Sequence, residues 1–234
     1  MRKAFALLLL GCLCVAMVFA QTDTLVRKKD RKKDVLITTT MGTMWVRLSD
    51  STPLHRDNFL KLVKQHYFDS VLFHRVIKNF MIQAGDPNSK RALPGQPLGS
   101  GGPGYRVPAE FRKTLFHRRG VIAAARDNNP EKASSGSQFY IVQGRVFTDA
   151  ELDSVEIKRL EGRKLSLEHR TVYKTIGGTP QLDQNYTVFG ELIAGIEVLD
   201  AIAATTTSKG PDRDRPLTDI RIISMKLVKR KKDK

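Results

Sequence analysis

From residue 35 onward the chain falls into short runs of branched and aromatic residues, each closed by a turn signal, and this spacing excludes most folds. Val35-Leu36-Ile37-Thr38-Thr39-Thr40 reads as a β-strand, Met41-Gly42 as a turn and Met44-Trp45-Val46-Arg47-Leu48 as the return strand. Pro53 opens a helix whose apolar face is Phe59, Leu60, Val63 and Tyr67. Residues 71–77 and 80–84 predict two more strands around Lys78-Asn79, and 86–104, dense in glycine and proline, predicts a long irregular loop. Strands follow at 121–126, 138–142 and 187–193, then a short helix at 196–203 and a final strand or strand pair within 217–228. Between 146 and 178 the pattern changes. Thr148-Asp149-Ala150-Glu151 is a capping box, Leu152, Val155 and Leu160 form a partial helical stripe, and Gly177-Gly178 ends the stretch, which predicts a helical insertion. Short strands at regular spacing with two helices favour a closed β-barrel, which leaves no exposed sheet edge.

The first twenty residues stand apart. Met1-Arg2-Lys3 is a positive start, 4–20 is uncharged and mostly apolar, and Gln21-Thr22-Asp23 turns polar. This is the layout of a secretory signal cleaved after Val18-Phe19-Ala20, which makes the protein exported, periplasmic or secreted. Two alternatives stay open: a membrane anchor, since about seventeen residues is the lower edge of a span, and a lipoprotein signal, Leu9-Leu10-Gly11-Cys12, that would lipidate Cys12. Both cysteines, Cys12 and Cys14, lie in this segment, so a cleaved chain has no disulfide and no thiolate. The expected division is a signal at 1–20, a basic linker at 21–34, one domain at 35–229 with its insertion, and a basic tail at 230–234.

The formal net charge is +16 and is concentrated at the ends, in Arg27-Lys28-Lys29-Asp30-Arg31-Lys32-Lys33 and Lys229-Arg230-Lys231-Lys232-Asp233-Lys234. Such runs read as solvated tails, with weak attraction to polyanions or an anionic membrane surface as the functional alternative. No aromatic residue interleaves with them, so nothing points to specific nucleic-acid binding. His55, His66, His74, His117 and His169 show no metal-ligand spacing. Ser134-Ser135-Gly136-Ser137 lacks the strand-turn-helix setting of a hydrolase nucleophile.

The segment Phe73-His74-Arg75-Val76-Ile77-Lys78-Asn79-Phe80-Met81-Ile82-Gln83-Ala84-Gly85-Asp86 resembles the cyclophilin signature. Ser135-Gly136-Ser137-Gln138-Phe139-Tyr140-Ile141, Thr187-Val188-Phe189-Gly190-Glu191 with Gly195-Ile196-Glu197-Val198-Leu199, and Gly99-Ser100-Gly101-Gly102 are similar to further blocks of that family, in order. The resemblance covers 35–229 apart from the insertion. It implies a mainly β fold, a closed eight-stranded antiparallel barrel capped by two helices. It also implies a cofactor-free, metal-free peptidyl-prolyl cis/trans isomerase whose partners are proline-containing polypeptide clients, acting as a monomer of the exported bacterial type.

That reaction breaks no σ bond. An Xaa-Pro amide twists out of plane over a barrier of about 18–20 kcal/mol, which uncatalysed takes on the order of tens to hundreds of seconds. A catalyst need only bind the twisted amide better than either planar form. Twisting makes the proline nitrogen pyramidal, and a fixed cationic donor aimed at it stabilises that state. The resemblance assigns this to Arg75, with Gln83 orienting it and holding the substrate carbonyl. It assigns the proline pocket to Phe80, Met81, Tyr140 and Leu182, with Ala125 beside the groove and Arg126 offering backbone to the peptide as an added strand. Strand alternation sends Phe139 to the core and Tyr140 outward. Three positions depart from the commoner pattern. Tyr140 stands where Phe is usual and adds a hydroxyl to the pocket wall. Gln181 stands where many eukaryotic members have Trp, which puts tight cyclosporin binding in doubt. Tyr186 stands where they have His, and keeps an aromatic wall. His74 reads as structural, since no proton is transferred. The rival readings are a proline-peptide binding module with little turnover and a polyanion-binding scaffold.

Overall fold

The computed structural model describes residues 24–231; the apolar leader, with Cys12 and Cys14, and the last three residues lie outside them. The strands are β1 (Lys33–Thr39), β2 (Gly42–Leu48), β3 (Arg75–Ile77), β4 (Met81–Ala84), β5 (Arg106–Val107), β6 (Val121–Ala124), β7 (Ser134–Ser135), β8 (Phe139–Val142), β9 (Val188–Ala194) and β10 (Ile222–Lys229). The helices are α1 (Pro53–Lys64), α2 (Asp149–Lys158), α3 (Leu167–Thr175) and α4 (Ile196–Ala203). Eight strands form one antiparallel sheet in the order β10-β1-β2-β9-β6-β8-β4-β3, and β5 pairs with β7 apart from it. The sheet curls, and no ladder joins its outer strands β3 and β10. Just before those strands, Phe73 N–H donates to Ile220 O at 2.9 Å, Ser70 N–H to Ile222 O at 2.8 Å and Ile222 N–H to Val71 O at 2.9 Å.

Alternation along the strands separates two apolar faces. Val35, Ile37, Val46, Ile82, Ile122, Phe139 and Ile141 turn inward, where Phe59, Leu60 and Val63 of α1 and Val198, Leu199 and Ile202 of α4 cover them. Met81, Ala123, Tyr140, Val142 and Val188 turn outward and form a second cluster. Helix α1 ends at Lys64, before Tyr67, because His66 adopts φ +54°. Tyr67 is therefore not on the helix, although it still packs on the core.

Boundaries shift where tertiary contacts outweigh local propensity. The expected strand 71–77 is a strand only from Arg75, with an isolated bridge from Leu72 to Arg221 before it, and the expected stretch 217–228 holds one strand, β10. The sheet begins at Lys33, inside the expected linker. The first basic run is also not simply solvated: Asp30 is buried and pairs with Lys64 at 3.1 Å, and Arg31 pairs with Asp57 at 2.7 Å.

The insertion contains two helices. The capping box of α2 forms in both directions between Thr148 and Glu151. Leu152 and Leu160 are buried as expected and Val155 is half-buried, but the larger anchor is Tyr173 of α3, fully buried beside Phe116 and Phe147. Arg170 ties α3 to α2 through Asp149, Asp153 and Glu156, each at 2.9 Å.

Candidate active site

Arg75 and Gln83 are a cross-strand pair of β3 and β4, and Gln83 in turn pairs with Tyr140 of β8, which pairs with Ala123 of β6. Side chains two apart on a strand share a face, so Met81 joins Gln83 on the outer surface. Phe80, the first residue of the expected strand 80–84, lies instead in the turn that connects β3 to β4, one residue before β4. The turn is held by Phe80 N–H to Ile77 O at 3.1 Å and by Asn79, whose φ is +62° and whose N–H donates to Gln143 Oε1 at 2.6 Å. The Pro180–Leu182 turn brings Leu182 against the same surface, with Tyr186 on the segment leading into β9.

These elements enclose a cleft of about 360 Å³. Arg75, Phe80, Met81, Gln83, Ala125, Arg126, Tyr140, Leu182 and Tyr186 all line it, so the structure brings these nine together. Gln181 is half-buried and does not line it. Phe139 packs inside and Tyr140 outside, as alternation predicts.

Arg75 Nη1 donates to Gln83 Oε1 over a long 3.5 Å, and Gln83 Nε2 donates to Gln138 Oε1 at 3.0 Å. Gln138 Nε2 then donates to the carbonyls of Gly99 and Gly101, both at 2.8 Å. Asp86, fully buried, accepts from Gly99 N–H at 2.5 Å and fixes the same loop. Asp214 Oδ2 stands 3.7 Å from Arg75 Nε, and Asp214 O accepts from Val76 N–H at 2.8 Å. Ala125, one residue past β6, donates its N–H to Gln138 O at 2.9 Å, and Arg126 follows it. The Arg126 guanidinium stacks 4.8 Å over the Tyr186 ring and donates to Asn185 O at 2.9 Å. His74, buried beside Arg75, is held neutral: desolvation lowers its pKa to about 4.

The hydroxyl of Tyr140 is not offered to the cleft wall, contrary to the sequence reading. It lies 2.9 Å from Nε2 of His117, which is fully buried, and burial raises the phenol pKa well above its ordinary value. Sequence reasoning gave no role to Gln138, which holds Gln83, or to Asp214, which stands beside Arg75, and it did not place the segments 96–99 and 211–213 at the cleft. Gln138 and Gly99, inside matched blocks, and the glycine- and proline-dense stretch 86–104 had a signal in the sequence; Asp214 and the 211–213 segment had none. A Ser–His–Glu constellation does exist, with His55 2.9 Å from Ser134 Oγ and 2.7 Å from Glu110 Oε2. All three are buried and none lines the cleft, so they tie α1 to the loops beneath it. Among the described residues no three His, Cys, Asp or Glu side chains form a metal-ligand group.

The sequence profile of the cyclophilin type peptidyl-prolyl cis-trans isomerase/CLD family matches residues 34–227. The chain belongs to this family. A relative from Staphylococcus saprophyticus, named as a peptidyl-prolyl cis-trans isomerase, is 36% identical over 83% of this chain and 91% of its own. A Streptococcus pyogenes protein named as a bifunctional phosphatase/peptidyl-prolyl cis-trans isomerase is 34% identical over 92% of this chain but only 42% of its own length. Among solved structures, the Cryptosporidium parvum cyclophilin type isomerase superposes with a TM-score of 0.61 at 25% identity, covering 85% of this chain and 99% of its own. The activity of this cyclophilin is peptidyl-prolyl cis/trans isomerisation.

Proposed function

We propose that this cyclophilin accelerates Xaa-Pro rotation in proteins outside the cytoplasm and that Arg75 is its electrophile. The observation that carries the reading is the Arg75–Gln83 pair, opening on the cleft that Phe80, Met81, Tyr140 and Leu182 also line. The apolar ring of proline occupies those walls. As the amide twists, resonance is lost and the nitrogen lone pair localises. A guanidinium offers that lone pair a charged, rigid donor, and its contact to Gln83 is long enough to leave donors free. Gln83, tethered through Gln138, holds its amide toward the substrate carbonyl. The client backbone runs past Arg126, just beyond Ala125, which still bonds Gln138 one residue past β6. No proton is transferred, no covalent intermediate forms and no cofactor is needed.

The same reading takes the sheet as a closed barrel. The backbone bonds between 70–73 and 220–222 support it, since they span the gap between β3 and β10. It takes the signal-like leader as the export device and the protein as a monomer. Lys33 pairs in register with Lys229, so the two basic runs emerge side by side, which supports weak attraction to polyanions or anionic membrane surfaces.

The test is isomerisation of an Xaa-Pro tetrapeptide by the purified protein beside Arg75→Ala, both shown to be folded by circular dichroism. Acceleration by the wild type that the variant loses is the expected result. No acceleration across several Xaa residues would favour a proline-peptide binding module instead.

A further inference from the structure

The Tyr140 hydroxyl begins a buried polar chain that leaves the proline cleft and ends in the insertion. Tyr140 Oη lies 2.9 Å from His117 Nε2. His117 Nδ1 lies 2.9 Å from Asp183 Oδ1, which also accepts from His117 backbone N–H at 2.8 Å. The other carboxylate oxygen, Oδ2, accepts from the Tyr173 hydroxyl at 2.7 Å. Tyr140, His117, Asp183 and Tyr173 are exposed by only 4%, 0%, 2% and 0%.

Chemistry sets the direction of each bond. An ionised carboxylate only accepts, so His117 Nδ1–H and Tyr173 O–H both donate to Asp183. A ring that donates from Nδ1 and carries no second proton accepts at Nε2 from Tyr140 O–H. Each member satisfies its neighbour, and deleting one strands another in a low-dielectric interior.

The chain joins parts of the molecule that the sequence keeps apart. The Tyr140 ring is a cleft wall and stacks on His117 at 14° between planes. Asp183 directly follows Leu182, a second wall, and its backbone O accepts from Arg163 at 2.6 Å. Tyr173 and Arg163 both belong to the insertion. Thr179 N–H donates to His117 O at 2.8 Å, so the exit of the insertion grips the same histidine. Gly178 lies so close to it that a Cβ there would stand 2.2 Å from His117 O.

We propose that the insertion is a working part of the proline cleft: Tyr173 and Arg163 hold Asp183, Asp183 orients His117, and His117 fixes the Tyr140 ring against which proline packs. Tyr173, Asp183 and His117 are positioning residues for a wall that touches substrate. The proposal rests on the cleft being the proline site.

Tyr173→Phe removes one oxygen from a residue outside the cleft. Isomerisation of an Xaa-Pro tetrapeptide is measured for wild type, Tyr173→Phe, Tyr140→Phe and the double variant, with thermal unfolding alongside. Tyr173→Phe is expected to lower kcat/KM by about three- to tenfold, mainly through KM. In the Tyr140→Phe background it is expected to change nothing further, because the ring is already released from the chain. A merely structural Tyr173 would lower Tm equally in both backgrounds and leave KM alone. Unchanged kcat/KM in folded Tyr173→Phe, or equal losses in both backgrounds, overturns the proposal. Should Tyr173→Phe not fold, the ¹⁵N signals of the His117 ring in the intact protein decide the matter. A neutral Nδ1–H ring whose signals move as proline peptide is added supports the proposal; a charged ring, or signals unmoved at saturation, overturns it. Loss of activity in Arg75→Ala with no effect of Tyr173→Phe removes the brace alone. Absence of wild-type acceleration removes the reading of the cleft and this proposal with it.

Discussion

Arg75 and Gln83 face each other across the β3–β4 ladder, with Nη1 3.5 Å from Oε1, while Asp214 Oδ2 stands 3.7 Å from Arg75 Nε. The guanidinium thus has a neutral amide and a carboxylate as neighbours. Neither contact is short, so neither holds the guanidinium tightly.

Arg75→Lys separates charge from shape. Lysine keeps the cation but not the planar fork. We expect kcat/KM for an Xaa-Pro tetrapeptide to fall by about 100-fold, the scale of losing one transition-state donor. Wild-type activity in Arg75→Lys would show that charge alone suffices.

Gln138→Ala cuts the link from Gln83 to the loop carrying Gly99 and Gly101. Gln83 then loses its anchor. An activity loss of about tenfold with a stability loss of about 1 kcal/mol is expected. Stopped-flow isomerisation and urea unfolding measure the two separately, and an unchanged kcat would remove Gln83 orientation from the mechanism.

Stability depends on pH through buried neutral histidines. Desolvation lowers the His74 pKa to about 4 from the ordinary 6.5, and desolvation also lowers that of His55. Between those two values the unfolded chain binds a proton that the folded chain refuses. The His74 contribution is therefore complete above about pH 6.5 and is lost as pH falls toward 4, by about 3 kcal/mol in all. Urea unfolding at pH 7.5, 6 and 4.5 should show this decline, and His74→Gln should flatten it. Activity of the folded protein should stay level from pH 7 to 9, since the reaction moves no proton; a bell-shaped profile would contradict that.

The core beneath the cleft is a ring cluster centred on Phe59, whose centroid lies 5.0 Å from Phe68 and 5.4 Å from both Phe139 and Phe189. Phe59→Ala leaves a cavity between α1 and the sheet and should cost about 3–5 kcal/mol. Calorimetry checks the loss. A change below 1 kcal/mol would mean that the neighbouring rings collapse into the space.

Much of the site was legible because strand periodicity is local. Phe139 and Tyr140 are adjacent, so an inward Phe139 forces Tyr140 outward onto the face of Met81 and Gln83. The Thr148–Glu151 capping box was legible for the same reason, since both partners lie within one turn. The end of α1 before Tyr67 was not, because the apolar spacing runs on past His66 while the backbone turns there. Nor was the Arg27–Lys33 run, which its charge alone marks as solvated. Asp30 is instead drawn into the fold by Lys64, which lies 34 positions away.

The sequence by itself determined the short-strand fold, the helical character of the insertion and the side chains of the cleft, because turn residues, period-two alternation and the signature blocks are written in neighbouring positions. Only the tertiary structure decided what stands behind that cleft. His117 reaches Tyr140 across 23 positions and Asp183 across 66, and Gln138 reaches Gly99 across 39. No local pattern encodes such meetings. They arise where the curled sheet and the insertion leave buried polar groups that must find one another, because an unpaired polar group in the interior is costly.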